Sequence, residues 1–224
     1  MTIFDWPSNL FPKHVVGPEL RNASTSGGES VNGTTQWAMS DAGYWELEYS
    51  EFPVNTRDTT LAWRTLSARL RAGDFVRANV YDKYPALTSP GYSMLLASNA
   101  ASRATQILVN ATLVTMETGL HFNAGDDFYR IVSIDSMTFD SIWERIQNNL
   151  AWSNSARWWN DPSDGTALYT ISILPPLRAA LSSGFALKLK DLTMVCTLTD
   201  MKSGDLELEY GQFGSPGLTL REAV

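Results

Sequence analysis

Period-two alternation is the commonest pattern along this chain, and one segment breaks it with a helical period. In Tyr44-Trp45-Glu46-Leu47-Glu48-Tyr49-Ser50, Trp45, Leu47 and Tyr49 share one face while Glu46 and Glu48 share the other, as in a half-buried strand. Between Asn55 and Gly73, Ala62, Leu66 and Leu70 recur every four residues with Trp63 beside them, while Arg57, Arg64 and Arg71 recur every seven on a different side. This predicts an amphipathic helix over about 57–72, with Asn55 or Thr56 accepting its first free amides and Gly73 taking the left-handed position that ends it. Phe75–Tyr81 follows as a strand.

The N-terminal segment from Asp5 to Asn22 mixes Pro7, Pro12 and Pro18 with scattered apolar residues, which predicts an extended arm or edge strand. Residues 22–35 read as a loop whose Asn32-Gly33 pair signals a turn, and a strand carrying Trp37 and Met39 starts near Gln36. Asp82–Tyr92, with Pro85, Pro90 and Gly91, loses all periodicity and marks a boundary. Beyond it, Gln106–Val114, Phe128–Ile134 and Ala167–Leu174 read as strands rich in Ile, Val, Leu, Thr and Tyr. Ser141 and Glu144 have capping-box spacing ahead of Ile146 and Leu150, predicting a short helix over about 141–151. Phe185–Lys190, Met194–Leu198 and Leu206–Tyr210 are three closing strands. The expected fold is therefore mainly β with one or two helices.

Composition narrows the function. At 224 residues the chain can bury a sizeable core, and its 44% hydrophobic content excludes global disorder. A net charge of −7 argues against nucleic acid or an anionic membrane as the main partner. Eight tryptophans combined with only 18% charged residues point to surface buried against other subunits. No basic and apolar leader opens the chain, and no stretch approaches 18 apolar residues, so a soluble protein made in a cytoplasm, without membrane insertion, is expected.

Chemistry-bearing patterns are sparse. Cys196 stands alone in an apolar run and reads as a small buried hydrophobe. His14 and His121 are unclustered, no glycine-rich phosphate loop is present, and neither a metal site nor a cofactor is expected. The carboxylate pairs Glu46/Glu48, Asp126/Asp127 and Glu207/Glu209 invite comparison with a glycosidase, but two of them are strand-like i, i+2 pairs on a solvated face. No enzymatic activity is expected. Trp143, Trp152, Trp158 and Trp159 form an aromatic stretch that could contact a partner or stack on a sugar, core or subunit contact being favoured.

The order of the pieces resembles a known family. The Trp6-Pro7 start, the aromatic strand near residue 45 and the helix Leu61-Ala62-Trp63-Arg64-Thr65-Leu66-Ser67-Ala68-Arg69-Leu70-Arg71-Ala72-Gly73 leading into a strand come first. Gly125-Asp126-Asp127-Phe128-Tyr129-Arg130-Ile131-Val132 and the strand Tyr169–Leu174 ending in Pro175-Pro176-Leu177-Arg178 follow. Together they resemble the distal tail proteins at the tail tip of long-tailed bacteriophages. The resemblance implies a virion scaffold: a β-sandwich domain from 1–88 together with 190–224, assembled into a ring of about six subunits, and an inserted small β-barrel-like module over 89–189. Implied partners are other copies of the chain, the tail tube protein, and the hub with its receptor-binding or fibre proteins, with DNA only passing through the lumen. The stretch Ser136–Asp164, with its expected helix and its tryptophans, is longer than the short hairpin the family pattern has there. A ring would also give Arg57, Arg64 and Arg71 carboxylates to meet, in the same or the adjacent subunit. The alternative is a carbohydrate-binding β module contributing to host attachment.

Overall fold

The computed structural model describes residues 2–21, 24–29, 35–39, 43–139, 166–200 and 216–223. In chain order the elements are β1 (Ile3–Asp5), β2 (His14–Arg21), β3 (Ser24–Glu29), β4 (Thr35–Met39), β5 (Tyr44–Ser50), α1 (Arg57–Arg71), β6 (Phe75–Asn79), β7 (Thr88–Leu96), β8 (Gln106–Val114), β9 (His121–Ala124), β10 (Asp127–Phe139), β11 (Thr166–Leu174), β12 (Leu187–Lys188), β13 (Thr193–Leu198) and β14 (Leu218–Glu222). The protein is mainly β, with one helix among the described residues. It divides into two compact units, one formed by Met1–Tyr81 with Thr193–Val224 and the other by Asp82–Leu192.

The first unit is discontinuous in sequence. Its six-stranded sheet runs β1-β6-β13-β14-β5-β2, with β3 and β4 as a separate two-stranded ribbon. Only β1 pairs in parallel, with β6; the other neighbours are antiparallel. Alternation on β5 buries Trp45, Leu47 and Tyr49, while Glu48 stays exposed. Helix α1 packs against β6 and β13, burying Trp63, Leu66, Ser67 and Leu70. Each such large apolar side chain contributes about 1.5–3 kcal/mol when fully buried. Phe52 lies 4.9 Å from Trp63 and 5.8 Å from Trp6, and Trp6 meets Tyr49 edge-on at 5.4 Å, so aromatic rings join the N-terminal arm, β5 and the helix.

Both helix ends have local causes. Thr56 is the N-cap: its hydroxyl accepts the Thr59 amide at 3.2 Å, and the Thr59 hydroxyl accepts the Thr56 amide at 3.1 Å. Gly73, at φ 89°, lets the chain leave the last turn. Arg69 then ties that turn down, with its Nε 3.1 Å from Asp74 Oδ2 and its guanidinium 3.9 Å above the Phe4 ring.

The second unit is a nearly closed, barrel-like sheet. Its sheet runs β12-β9-β10-β11-β8-β7. Its ends come together where Leu95 bridges Ala186, where the Leu96 amide donates to the Phe185 carbonyl at 2.9 Å, and where the Gly184 amide donates to the Leu96 carbonyl at 2.7 Å. These contacts cover part of the edges that otherwise invite pairing with other chains. The core takes Ile107, Val109 and Ala111 from β8, Phe122 from β9, Tyr129 and Ile131 from β10, and Tyr169, Ile171 and Ile173 from β11. A polar ladder covers part of the exposed surface: Asp135 accepts from Ser172 Oγ at 2.6 Å, Ser133 Oγ at 2.7 Å and Gln106 Nε2 at 2.8 Å, which holds its carboxyl below the usual range.

Several expectations need correction. Ser24–Glu29, expected within a loop, is a strand, because pairing with Thr35–Met39 supplies backbone partners that its polar composition does not advertise. The boundary stretch contains the start of β7, which accommodates Pro90 and Gly91 in a register shift between Thr88 and Ser93. Phe185–Lys190 shrinks to Leu187–Lys188. The expected helix over 141–151 and the strand Leu206–Tyr210 lie outside the described residues.

Gly17 sits in the β2 register shift at φ 100°, and a Cβ there would stand 2.8 Å from the Glu46 carbonyl oxygen, whereas the space around Gly73 is open. Gly73→Ala is therefore expected to cost about 1–2 kcal/mol and Gly17→Ala more, read as a lower urea midpoint at unchanged slope.

Candidate functional site

Strand pairing assembles a connected set of partly buried polar groups on the β9–β10 hairpin. Antiparallel register sets His121 opposite Arg130, and His121 is buried at 9% exposure. Its ring stacks on Phe128, with centroids 5.1 Å apart and planes 24° apart. Nδ1 lies 2.8 Å from Asp82 Oδ2, and Arg130 Nε donates to Nε2 at 2.8 Å. Because a guanidinium nitrogen can only donate, Nε2 is an acceptor, so the ring proton sits on Nδ1 and is given to Asp82. Burial, with the nearby Arg130 charge, holds His121 below the usual imidazole range even though the Asp82 contact opposes this.

A second group lies toward the hairpin turn. Tyr129 donates to Asp127 Oδ2 at 3.4 Å and accepts the Arg178 amide at 3.1 Å. Burial pushes the Tyr129 hydroxyl up to about 12 and raises the Asp127 carboxyl. The Pro175-Pro176-Leu177-Arg178 segment gains its place here. Leu177 is buried in the barrel core, its amide donates to the Ala104 carbonyl at 2.9 Å, and its carbonyl accepts the Arg103 amide at 2.7 Å.

The residues singled out from sequence are distributed differently. Arg57, Arg64 and Arg71 are exposed on α1, away from the buried Trp63, Leu66 and Leu70, and Leu61 is 45% exposed between Arg57 and Arg64. Among the described residues, neither Arg57 nor Arg64 makes an ion pair. Trp143, Trp152, Trp158 and Trp159 lie outside the described residues, as do Glu207 and Glu209. Glu46 pairs with Arg21 at 3.3 Å, and Asp127 is engaged by Tyr129, so these carboxylates act in local contacts. His14 is exposed at the start of β2 in the first unit, while His121 belongs to the barrel. Cys196 is fully buried; its thiol donates weakly to the Met194 carbonyl at 3.5 Å, and burial pushes its pKa up. Among the described residues, no three His, Cys, Asp or Glu side chains gather as metal ligands, and no helix is long and apolar enough to cross a membrane.

Sequence reasoning did not single out the Asp82, His121 and Arg130 group. Asp82 and His121 are 39 positions apart, and only the β9–β10 register brings Arg130 to the ring, so no local spacing encodes it. No protein-family model matches the chain, and no curated protein sequence matches it.

Tyr129→Phe leaves the Arg178 amide without its acceptor and is expected to cost about 1–3 kcal/mol, measured by urea unfolding. Cys196 is expected to react with a disulfide reagent at mildly alkaline pH only at the rate of unfolding, so rapid modification of the native protein would contradict its burial.

Proposed function

We propose that this chain is a structural subunit of a phage tail tip, assembling into a ring of about six copies that joins the tail tube to the hub and receptor-binding components. The observation that carries the reading is the discontinuous first unit: terminal strands complete a sheet begun before residue 82, and a barrel-like unit occupies the interval between β6 and β13. A ring subunit needs one module to hold its neighbours and another to meet different partners, and an inserted domain provides the two without a second chain. The sequence likeness to distal tail proteins supports the same assignment. In this reading no reaction is catalysed, and DNA passes through the lumen without being bound.

The surface of α1 supports a role in assembly. Arg57 and Arg64 project from a rigid, capped helix together with the partly exposed Leu61, in a chain of net charge −7. A neighbouring copy with exposed carboxylates is a fitting counterpart, since charge complementarity fixes orientation between subunits.

Light scattering across a concentration series, with electron microscopy of the largest species, tests the reading. A closed ring of about six subunits is the expected outcome. A monomer at every concentration and in the presence of tail tube protein would contradict it; glycan binding by that monomer, lost in Trp158→Ala, would favour the carbohydrate-binding alternative. Arg64→Glu is expected to weaken assembly about tenfold or more with an unchanged urea midpoint, because the side chain is exposed and makes no ion pair among the described residues.

A further inference from the structure

We propose that Asp82, His121 and Arg130 form a proton-operated latch, which joins the first residue of the barrel unit and Arg130 Nε through one neutral imidazole and breaks the Arg130 Nε bond when that imidazole gains a proton. The geometry has three parts. The antiparallel register fixes His121 and Arg130 side by side across β9 and β10. The stack on Phe128 sets the plane of the ring. Asp82, where the barrel unit begins, supplies the carboxylate at 2.8 Å from Nδ1.

Both ring nitrogens are committed while the ring is neutral: Nδ1–H donates to Asp82, and the Nε2 lone pair receives Arg130 Nε–H at 2.8 Å. A proton taken from solvent can only go to that lone pair. Nε2–H then points at Arg130 Nε–H across the same distance, and two donors cannot share a hydrogen bond. The imidazolium also repels the guanidinium, whereas its contact with Asp82 becomes charge-assisted. Protonation thus strengthens the His121–Asp82 contact and costs Arg130 Nε its acceptor on the ring. The charges that act on the ring's proton affinity are Asp82, which favours the proton, and Arg130, which opposes it, while Asp82 also attracts Arg130.

The direction with pH follows from burial. The native imidazole is harder to protonate than an exposed one, so the unfolded chain binds the proton first as pH falls. Stability from the neutral latch is complete above about pH 6.5, the ordinary imidazole value, and is lost as pH falls through the lower native value. The barrel therefore carries a group that changes its bonding in mildly acidic surroundings.

Nitrogen-detected NMR of the histidine rings in the intact protein, from about pH 8 to 4.5, tests this. At the alkaline end His121 is expected as the Nδ1–H tautomer, with a slowly exchanging Arg130 Nε–H signal that disappears as the ring protonates. Arg130→Gln, which removes the opposing charge, is expected to raise the His121 midpoint by about 0.5–1 pH unit, and Asp82→Asn to lower it. An Nε2–H tautomer, an Arg130 Nε–H signal that persists through the titration, or a midpoint unmoved by Arg130→Gln would overturn the latch. The tautomer and exchange measurements need only the unaltered protein, so they decide the matter even if a variant fails to fold.

Discussion

The first unit depends on the pairing of β13 with β6, from Thr193 opposite Asn79 to Cys196 opposite Val76. Without it the N-terminal part of the chain has two separate pairs, β1 with β6 and β5 with β2; β13 and β14 are the strands inserted between them. Closing a flexible loop of about 110 residues would cost about 4 kcal/mol in chain entropy. A compact unit, Asp82–Leu192, stands in place of that loop and removes much of its freedom. What compensates the remainder is burial of Val76, Ala78, Met194, Cys196, Leu218 and Leu220 on the strands so joined. The buried Glu222 on β14 adds a polar fastening, its carboxylate accepting the Trp45 amide at 3.2 Å.

The barrel solves a different problem. Between residues 82 and 192 the chain curls its sheet until the ends nearly meet, so part of the backbone along its edge strands is satisfied within the unit. Its β9–β10 hairpin then carries polar groups that need partners: Tyr129 fastens the segment after β11 through the Arg178 amide, and His121 links Asp82 to Arg130. The polar ladder around Asp135 likewise ties β8, β10 and β11 together on an exposed surface.

Elements whose cause is local were legible in the sequence. Helix α1 shows its period, and Thr56 and Gly73 mark its ends, so 57–72 was expected and Arg57–Arg71 is found. Strand β5 alternates strictly because one face is buried, and β8 and β11 have β-branched runs. Strand β9 was illegible for the opposite reason: His121, Phe122, Asn123 and Ala124 are buried on both faces, which erases alternation in a four-residue strand. Strand β14 is five residues long and owes its place to β13 and β5 on either side. The polar group at His121 was hidden because its partners arrive through tertiary register. Arg69 was passed over for a related reason: it falls outside the seven-residue spacing of Arg57, Arg64 and Arg71, yet it makes the contacts to Asp74 and Phe4.

The dependence of the first unit on its returning strands is tested most directly by the amide NMR spectrum of a chain that stops after Leu192. That chain lacks β13 and β14 but retains every strand of the barrel. Dispersed, native-like resonances for residues 82–192 together with collapsed resonances for β1, β2, β5 and β6 are predicted. Native-like dispersion of β5 and β6 in the truncated chain would contradict the account, because those strands would then form their sheet without the two that lie between them.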